Sequence, residues 1–380
     1  MEKWKEYRFS DFVDINPTVK LPKDELISFV EMKDLDSGKR FCFPSQERML
    51  SGGSKFKDGD TLFARITPCL ENGKICQVNG LKGGSGLGST EFHVFRGKKN
   101  ISNSDFVYYL SRWDDVRSHA EINLDGTSGR QRVPREAFND LILLLPPLSE
   151  QKAIASALSS LDDKIDLLHC QNATLEKMAE ILFRQWFVEE AKEEWEEGKL
   201  GDEFDFTMGV SPPGESYNEE GIGIPMYQGN ADFDFRFPKR RIYTTDCKKL
   251  AYKNDILISV RAPVGAQNMA NEECCIGRGV AAFRYSRNKS FYSYTYYKLM
   301  SLMDEIKQFN ETGTVFGSIS KTDFESIDIT IPDDKTIERF QIEAESIDSK
   351  IFLNSEQIRI LTSFRDTLLP KLMNGEVTVQ

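Results

Sequence analysis

The residues of this chain best suited to chemistry are arginines, lysines and glutamines set among glycines. The densest stretch is Gly126-Thr127-Ser128-Gly129-Arg130-Gln131-Arg132. Glycines there let backbone N–H groups approach a phosphate, and Arg and Lys against phosphate supply affinity and position. Arg and Gln can also read guanine and adenine edges by paired hydrogen bonds in the major groove. The first half of the chain adds Lys55 and Lys57 beside a Gly-Gly-Ser turn, and the pair Lys98-Lys99. The second half offers Arg236, Lys239-Arg240-Arg241, Lys248-Lys249 and Arg278. The later counterpart of the first loop, Thr312-Gly313-Thr314-Val315-Phe316-Gly317, lacks the arginines. Thr127 and Thr314 remain in register, but base contacts in the second half must come from elsewhere. Arg65 and Arg261 fall near strand ends, where a DNA contact and an ion pair are equally good readings. An ordinary solvated loop is the plain alternative for 126–132.

Catalytic readings fare poorly. Leu50-Ser51-Gly52-Gly53-Ser54 resembles an ATP-cassette signature, yet no Walker A sequence accompanies it. Gly84-Ser85-Gly86-Leu87-Gly88 misses the dinucleotide spacing. Asp162-Asp163-Lys164 and Asp348-Ser349-Lys350 mimic part of a nuclease site, but they lie on predicted helices and read as surface charge. No Asn/Asp-Pro-Pro-Tyr/Phe quartet is present, so an adenine methyltransferase cannot be built from this chain alone. Seven cysteines without a CxxC spacing read as reduced structural thiols. Three scattered histidines, His93, His119 and His169, give no metal or nucleophile constellation.

The 380 residues allow two or three domains with real cores. No run of 18 apolar residues occurs and the start, MEKWKEYRFS, is no signal peptide, so a cytoplasmic protein without membrane contact is expected. The net charge of −11 argues against nucleic acid only until it is located. Residues 1–146 carry 22 basic and 21 acidic side chains, and residues 199–332 carry 16 and 18. Residues 147–198 carry 5 and 12, chiefly through the acidic run at 189–197. The two globular halves are therefore nearly neutral, and each can present a basic face.

The elements that must hold these residues repeat once. LPPLSEQKAIASALSSLDDKI, from Leu145, matches IPDDKTIERFQIEAESIDSKI, from Ile331, without a gap at a shift of 186. Trp4 aligns with Trp195 at 191, Asp60-Thr61-Leu62 with Asp255-Ile256-Leu257 at 195, and Pro68 with Pro263 at 195. Gly86-x-Gly88-x-x-x-Phe92 aligns with Gly277-x-Gly279-x-x-x-Phe283 at 191. Leu110 pairs with Leu299, Thr127 with Thr314 and Phe138 with Phe324. The shift drifts across polar, glycine-rich stretches, where length changes are tolerated. A tandem pair of domains follows, because two copies are too few for a solenoid. Short apolar runs such as DTLFARI, EFHVFRG, DILISVRA and VAAFRYS, bounded by Gly, Asn and Asp, predict an α+β fold for each copy.

Each copy ends in a heptad helix. Ile154, Leu158, Leu161, Ile165, Leu168, Asn172, Leu175, Ala179, Leu182 and Trp186 alternate spacings of 4 and 3. Phe340, Ala344, Ile347, Ile351, Asn354, Ile358, Leu361, Arg365, Leu368 and Leu372 do the same. Such a seam, roughly 50 Å long, is that of a coiled coil. Pro146, Pro147 and Pro332 stop the preceding strands, and Ser149 or Asp334 is the expected cap. Asn172 and Asn354 lie near the seam centres, and their numbers add to 526, the constant of an antiparallel pair centred on 170 and 356. Antiparallel packing therefore predicts that they meet and fix the register.

The repeat, the LPPLSEQ-type helix start and the closing FRDTLLPKLMNGEV resemble the specificity subunit of type I restriction–modification enzymes over essentially the whole chain. The resemblance implies two target-recognition domains, 1–146 and 191–332, each reading half of a split sequence in double-stranded DNA. It implies spacer helices at 147–190 and 333–380. Two adenine-N6 methyltransferase subunits, which hold S-adenosylmethionine, would dock there, and an endonuclease–translocase subunit would join them. No cofactor is expected in this chain. A stand-alone DNA-modifying enzyme and a purely structural coiled-coil adaptor are the competing readings.

Overall fold

The computed structural model describes residues 3–127, 129–312 and 318–379. Thr314, expected to touch DNA, lies outside the described residues. The chain divides into two compact units, one of residues 1–170 with 354–380 and the other of residues 171–353.

In the first unit a five-stranded sheet runs Val13–Ile15, Phe92–Gly97, Thr61–Ala64, Ile75–Val78, Phe41–Cys42. A four-stranded sheet runs Gln46–Arg48, Ile27–Val30, Ser85–Gly88, Ser54–Lys57. Both are antiparallel apart from one parallel pair each, Phe41–Cys42 with Ile75–Val78 and Ile27–Val30 with Ser85–Gly88. Thr61–Ala64 and Ile75–Val78 are buried at every position, so both faces of these strands are covered. The second unit repeats the plan with sheets of four and five strands, including the parallel pair Ile224–Tyr227 and Cys274–Ile276. The mixed helix-and-strand class expected for each copy is found.

Within each unit a two-stranded sheet joins the first strand of the domain to the strand before the long helix. Lys5–Arg8 pairs with Ile142–Leu145, and Glu196–Lys199 with Asp328–Ile331. The opening tryptophans seal these junctions: Trp4 Nε1 donates to Glu150 at 3.0 Å, and Trp195 Nε1 donates to Asp333 at 3.0 Å. Their alignment at 191 is thus structural.

The glycine alignment is not. Glu91 and Gly279 accept the matched backbone bonds from Arg65 and Val260, which puts this part of the repeat at a shift of 188. Gly86 and Gly88 sit inside a strand, whereas Gly277 and Gly279 form the turn that leads into Val280–Tyr285. Sequence identity of two glycines outweighed the true register, which is set by which backbone groups bond.

The long helices span Leu148–Arg184 and Asp334–Met373. The first continues through a π-helical turn at Gln185–Glu189. All heptad seam positions are buried or half-buried. Asp333, rather than Asp334, caps the second helix, its carboxylate accepting from Thr336 N at 3.0 Å. Inside the first unit Ile154, Ala155 and Leu158 share a core with Leu372 and Met373. Inside the second, Ala179, Phe183 and Phe187 share one with Ile337, Phe340 and Ala344. Asn172 and Asn354 are each 1 % exposed, so neither is a solvated break in its helix.

Glutamines on the long helices anchor the domain helices. Gln151 Oε1 accepts from Asn103 N at 2.9 Å, just before the helix Ser104–Arg112. Gln341 Oε1 accepts from Ser293 N at 3.0 Å, at the start of Tyr292–Ser301. Each satisfies a donor that a helix start leaves unpaired.

Candidate nucleic-acid interface

In the first unit the glycine-rich loop is a closed hairpin. Asp125 N donates to Arg132 O at 3.0 Å and Arg132 N returns the bond at 2.8 Å. Gln131 N donates to Thr67 Oγ1 at 3.1 Å, tying the loop to the end of Thr61–Ala64. Gly126 (φ 118°) and Gly129 (φ 84°) supply the left-handed turns. Arg130 stands exposed at the tip, and no hydrogen bond or ion pair engages its guanidinium among the described residues. Thr127 is exposed beside it.

Arg132 instead forms a two-pronged pair with Glu91, with Nη2 at 2.7 Å and Nε at 2.8 Å. That hydrogen bond holds the Glu91 carboxyl below its ordinary value. Arg65 is half-buried, its Nε without a partner among the described residues. Lys55 and Lys57 flank the buried Phe56 on one strand, so alternation puts both on the outer face. Lys55 also borders a cleft lined by Asn16, Thr18 and Gly53. Lys99 is exposed, whereas Lys98 Nζ donates to Ser10 O at 2.7 Å. Of the cations expected to meet DNA in this unit, Lys55, Lys57, Lys99 and Arg130 are exposed and carry no ion pair among the described residues.

In the second unit most expected cations are already matched. Lys239 pairs with Asp234 at 3.1 Å, Arg240 with Glu272 and Lys248 with Asp246 at 2.7 Å. Arg241 donates to Ala231 O at 3.1 Å. Arg278 and Arg261 are exposed and carry no ion pair among the described residues.

Arg236 corrects an expectation. It is 1 % exposed, it pairs with Asp348 and with Glu176 at 3.4 Å, and it lies over the Tyr296 ring at 3.3 Å. A fully buried guanidinium cannot meet a duplex; this one joins its loop to both long helices. Burial pushes the Glu176 carboxyl up, against the pull of Arg236. Asp162 and Asp348 correct a second expectation, because they are 3 % and 5 % exposed and not surface charge. Asp162 accepts from Tyr109 Oη at 2.6 Å and pairs with Arg365 at 2.7 Å. The two aspartates occupy matched positions, 186 apart, but draw their arginines from different places. One comes from a helix and the other from a loop of the second unit, a difference no alignment of the repeat displays.

Among the described residues no group of three His, Cys, Asp or Glu could hold a metal ion. Among the described residues no helix is long and apolar enough to cross a membrane. Two tandem basic-loop domains on paired helix segments define a DNA-recognition architecture, and the comparisons agree. The profile of the type I restriction modification DNA specificity domain matches residues 1–177 and again 192–364. The chain belongs to the family of type I restriction–modification specificity subunits. It is 30 % identical to a putative type I restriction enzyme MjaX specificity subunit of Methanocaldococcus jannaschii, over 85 % of this chain and 79 % of that protein. It is 25 % identical to the type I restriction enzyme HindI specificity subunit of Haemophilus influenzae, over 99 % and 100 %. A solved type I S subunit from M. genitalium shares the fold, with a TM-score of 0.60 over 97 % of this chain and 96 % of that one, at 18 % identity. Specificity subunits of this family are non-catalytic DNA-recognition components.

Proposed function

We propose that the two domains read the two halves of a split DNA sequence, and that the long helices form an antiparallel coiled coil that separates them. The observation that carries this is the doubled domain itself, matched at 1–177 and 192–364, with different free cations in each copy. Unlike readers on like scaffolds suit a two-part target with unlike halves. Contacts inside each unit support the antiparallel sense: Asp162 meets Arg365, and Phe183 meets Phe340 with ring centroids 5.6 Å apart. These pairs add to 527 and 523, close to the 526 that would bring Asn172 and Asn354 together.

Lys55, Lys57, Lys99, Arg130 and Thr127 would contact the first half-site, and Arg261 and Arg278 the second. Gln131, Arg65 and Arg132 would steady the first loop beside the duplex. The adenine-N6 methyltransferase subunits, carrying S-adenosylmethionine, would dock on the outer faces of the helices, and the endonuclease–translocase subunit would complete the complex in the cytoplasm. Support for docking lies in exposed apolar side chains there: Leu167, Ile360 and Phe364 in the first unit, and Met178, Ile181, Ile342 and Leu353 in the second. The test is to express the chain with its methyltransferase subunit and map the methylated adenines. A split motif supports the reading, whereas methylation or cleavage by the purified chain alone would favour a stand-alone enzyme.

A further inference from the structure

The second unit lacks the arginines of the 126–132 loop, and Lys239, Arg240 and Lys248 are already paired with carboxylates. Its base-reading groups must sit elsewhere, and a matched rim of backbone shows where. In the first unit Ser89 N donates to Val30 O at 3.2 Å and Arg65 N to Glu91 O at 3.0 Å. In the second, Gly277 N donates to Tyr227 O and Val260 N to Gly279 O, both at 2.9 Å. Val133 N and Ile319 N complete the pattern on Arg65 O and Val260 O, at 2.9 and 3.2 Å. These bonds make Glu31 the counterpart of Gln228, and Thr90 the counterpart of Arg278.

The side chains at these positions differ in kind and in engagement. Glu31 is bound by Lys33 at 2.7 Å and Arg48 at 2.6 Å, and Thr90 is short. Gln228 and Arg278 are exposed, and neither side chain bonds to another group among the described residues. They are also neighbours: a Cβ on Gly277 would stand 3.3 Å from Gln228 Cγ. Their backbone has little room to move. A Cβ on Gly279 would come within 2.1 Å of Gln228 O, and one on Gly209 within 2.2 Å of Gly277 O. Arg278 N is further held by Ser211 Oγ at 3.3 Å. An exposed arginine thus rises between two buried glycines, beside an exposed glutamine, on a rim fixed by main-chain packing.

We infer that Gln228 and Arg278 together read adjacent base edges of the second half-site, Gln228 suited to adenine and Arg278 to guanine. A rigid rim favours this over a phosphate contact by Arg278 alone, since paired hydrogen bonds to a base need a fixed approach. This rests on the split-target reading above, and it relocates base reading in the second domain from the loop to the rim.

The test maps methylated sites in cells that carry the full chain and its methyltransferase subunit, with wild-type, Gln228→Ala, Gln228→Glu and Arg278→Ala chains side by side. Each substitution is at an exposed side chain, so thermal unfolding of the purified variants should match wild type. The expected result is a preference reduced about tenfold at one or two adjacent positions of one half of the motif. The other half and the spacer length stay unchanged. An unaltered preference at every position would overturn the assignment, and so would a uniform fall in methylation with the motif intact. A wild-type chain that gives a continuous motif would overturn the split-target reading itself, and is told apart because it needs no variant.

Discussion

Arg130 and Arg236 were indistinguishable as letters, both arginines in polar loops, yet one is solvent-free and the other solvated. Arg130 stands at the tip of a hairpin with no carboxylate to meet, so Arg130→Ala should leave unfolding unchanged while weakening DNA binding and lowering its salt dependence by about one counterion. A titration of binding against salt measures this. Arg236 is the reverse case: Arg236→Met would strand Asp348 in the interior and cost about 3–5 kcal/mol of stability by denaturant unfolding. Two buried titratable groups give the units opposite pH responses. Burial pushes Glu203 up to about 7, so the folded second unit keeps a proton that the unfolded chain releases near its ordinary 4.5. Its stability therefore falls as pH rises between those values, and Glu203→Gln should flatten that slope. Burial holds His93 down at about 4, so the first unit loses stability as pH falls from 6.5 toward 4. Thermal unfolding across pH 4–8 checks both signs.

At the scale of elements, the heptad helices were the most legible part of the sequence, because a seven-residue period written over many turns is redundant. Every seam residue from Ile154 to Trp186, and from Phe340 to Leu372, is at least half covered. What period could not reveal is which polar residues join the seam. Asp162 and Asp348 looked like surface charge because their partners, Arg365 and Arg236, lie 203 and 112 residues away. The capping glutamines Gln151 and Gln341 were missed for the same reason, since they act on helices of the domain and not on their own. The basic loops were legible as composition, but whether a lysine is free depends on carboxylates brought near by the fold, as Lys239 and Arg240 show. The outer faces of the helices carry a separate prediction. Phe364→Asp should abolish methylation by the complex while leaving the unfolding of the chain unchanged, because Phe364 is 55 % exposed. Co-purification with the methyltransferase subunit would report the loss directly.

For the molecule as a whole, the repeat means that one architecture is used twice with different reading surfaces. The backbone plan was legible from Trp4 and Trp195 and from the helix starts, whereas the glycine match misled by three residues because loops of unequal length intervene. The spacer idea makes a length prediction. Inserting seven residues into both long helices at matched positions should separate the half-sites by about 10 Å, or roughly three base pairs at about 3.4 Å each. An unchanged spacer would count against helices acting as the ruler. The central claim, that each domain reads its own half of a split target, is tested most directly by replacing residues 1–146 with the corresponding domain of a relative and mapping the methylated adenines. If each domain reads its own half, one half of the motif changes while the other half and the spacing stay as they were. A motif that changes in both halves, or one that is continuous, would contradict it.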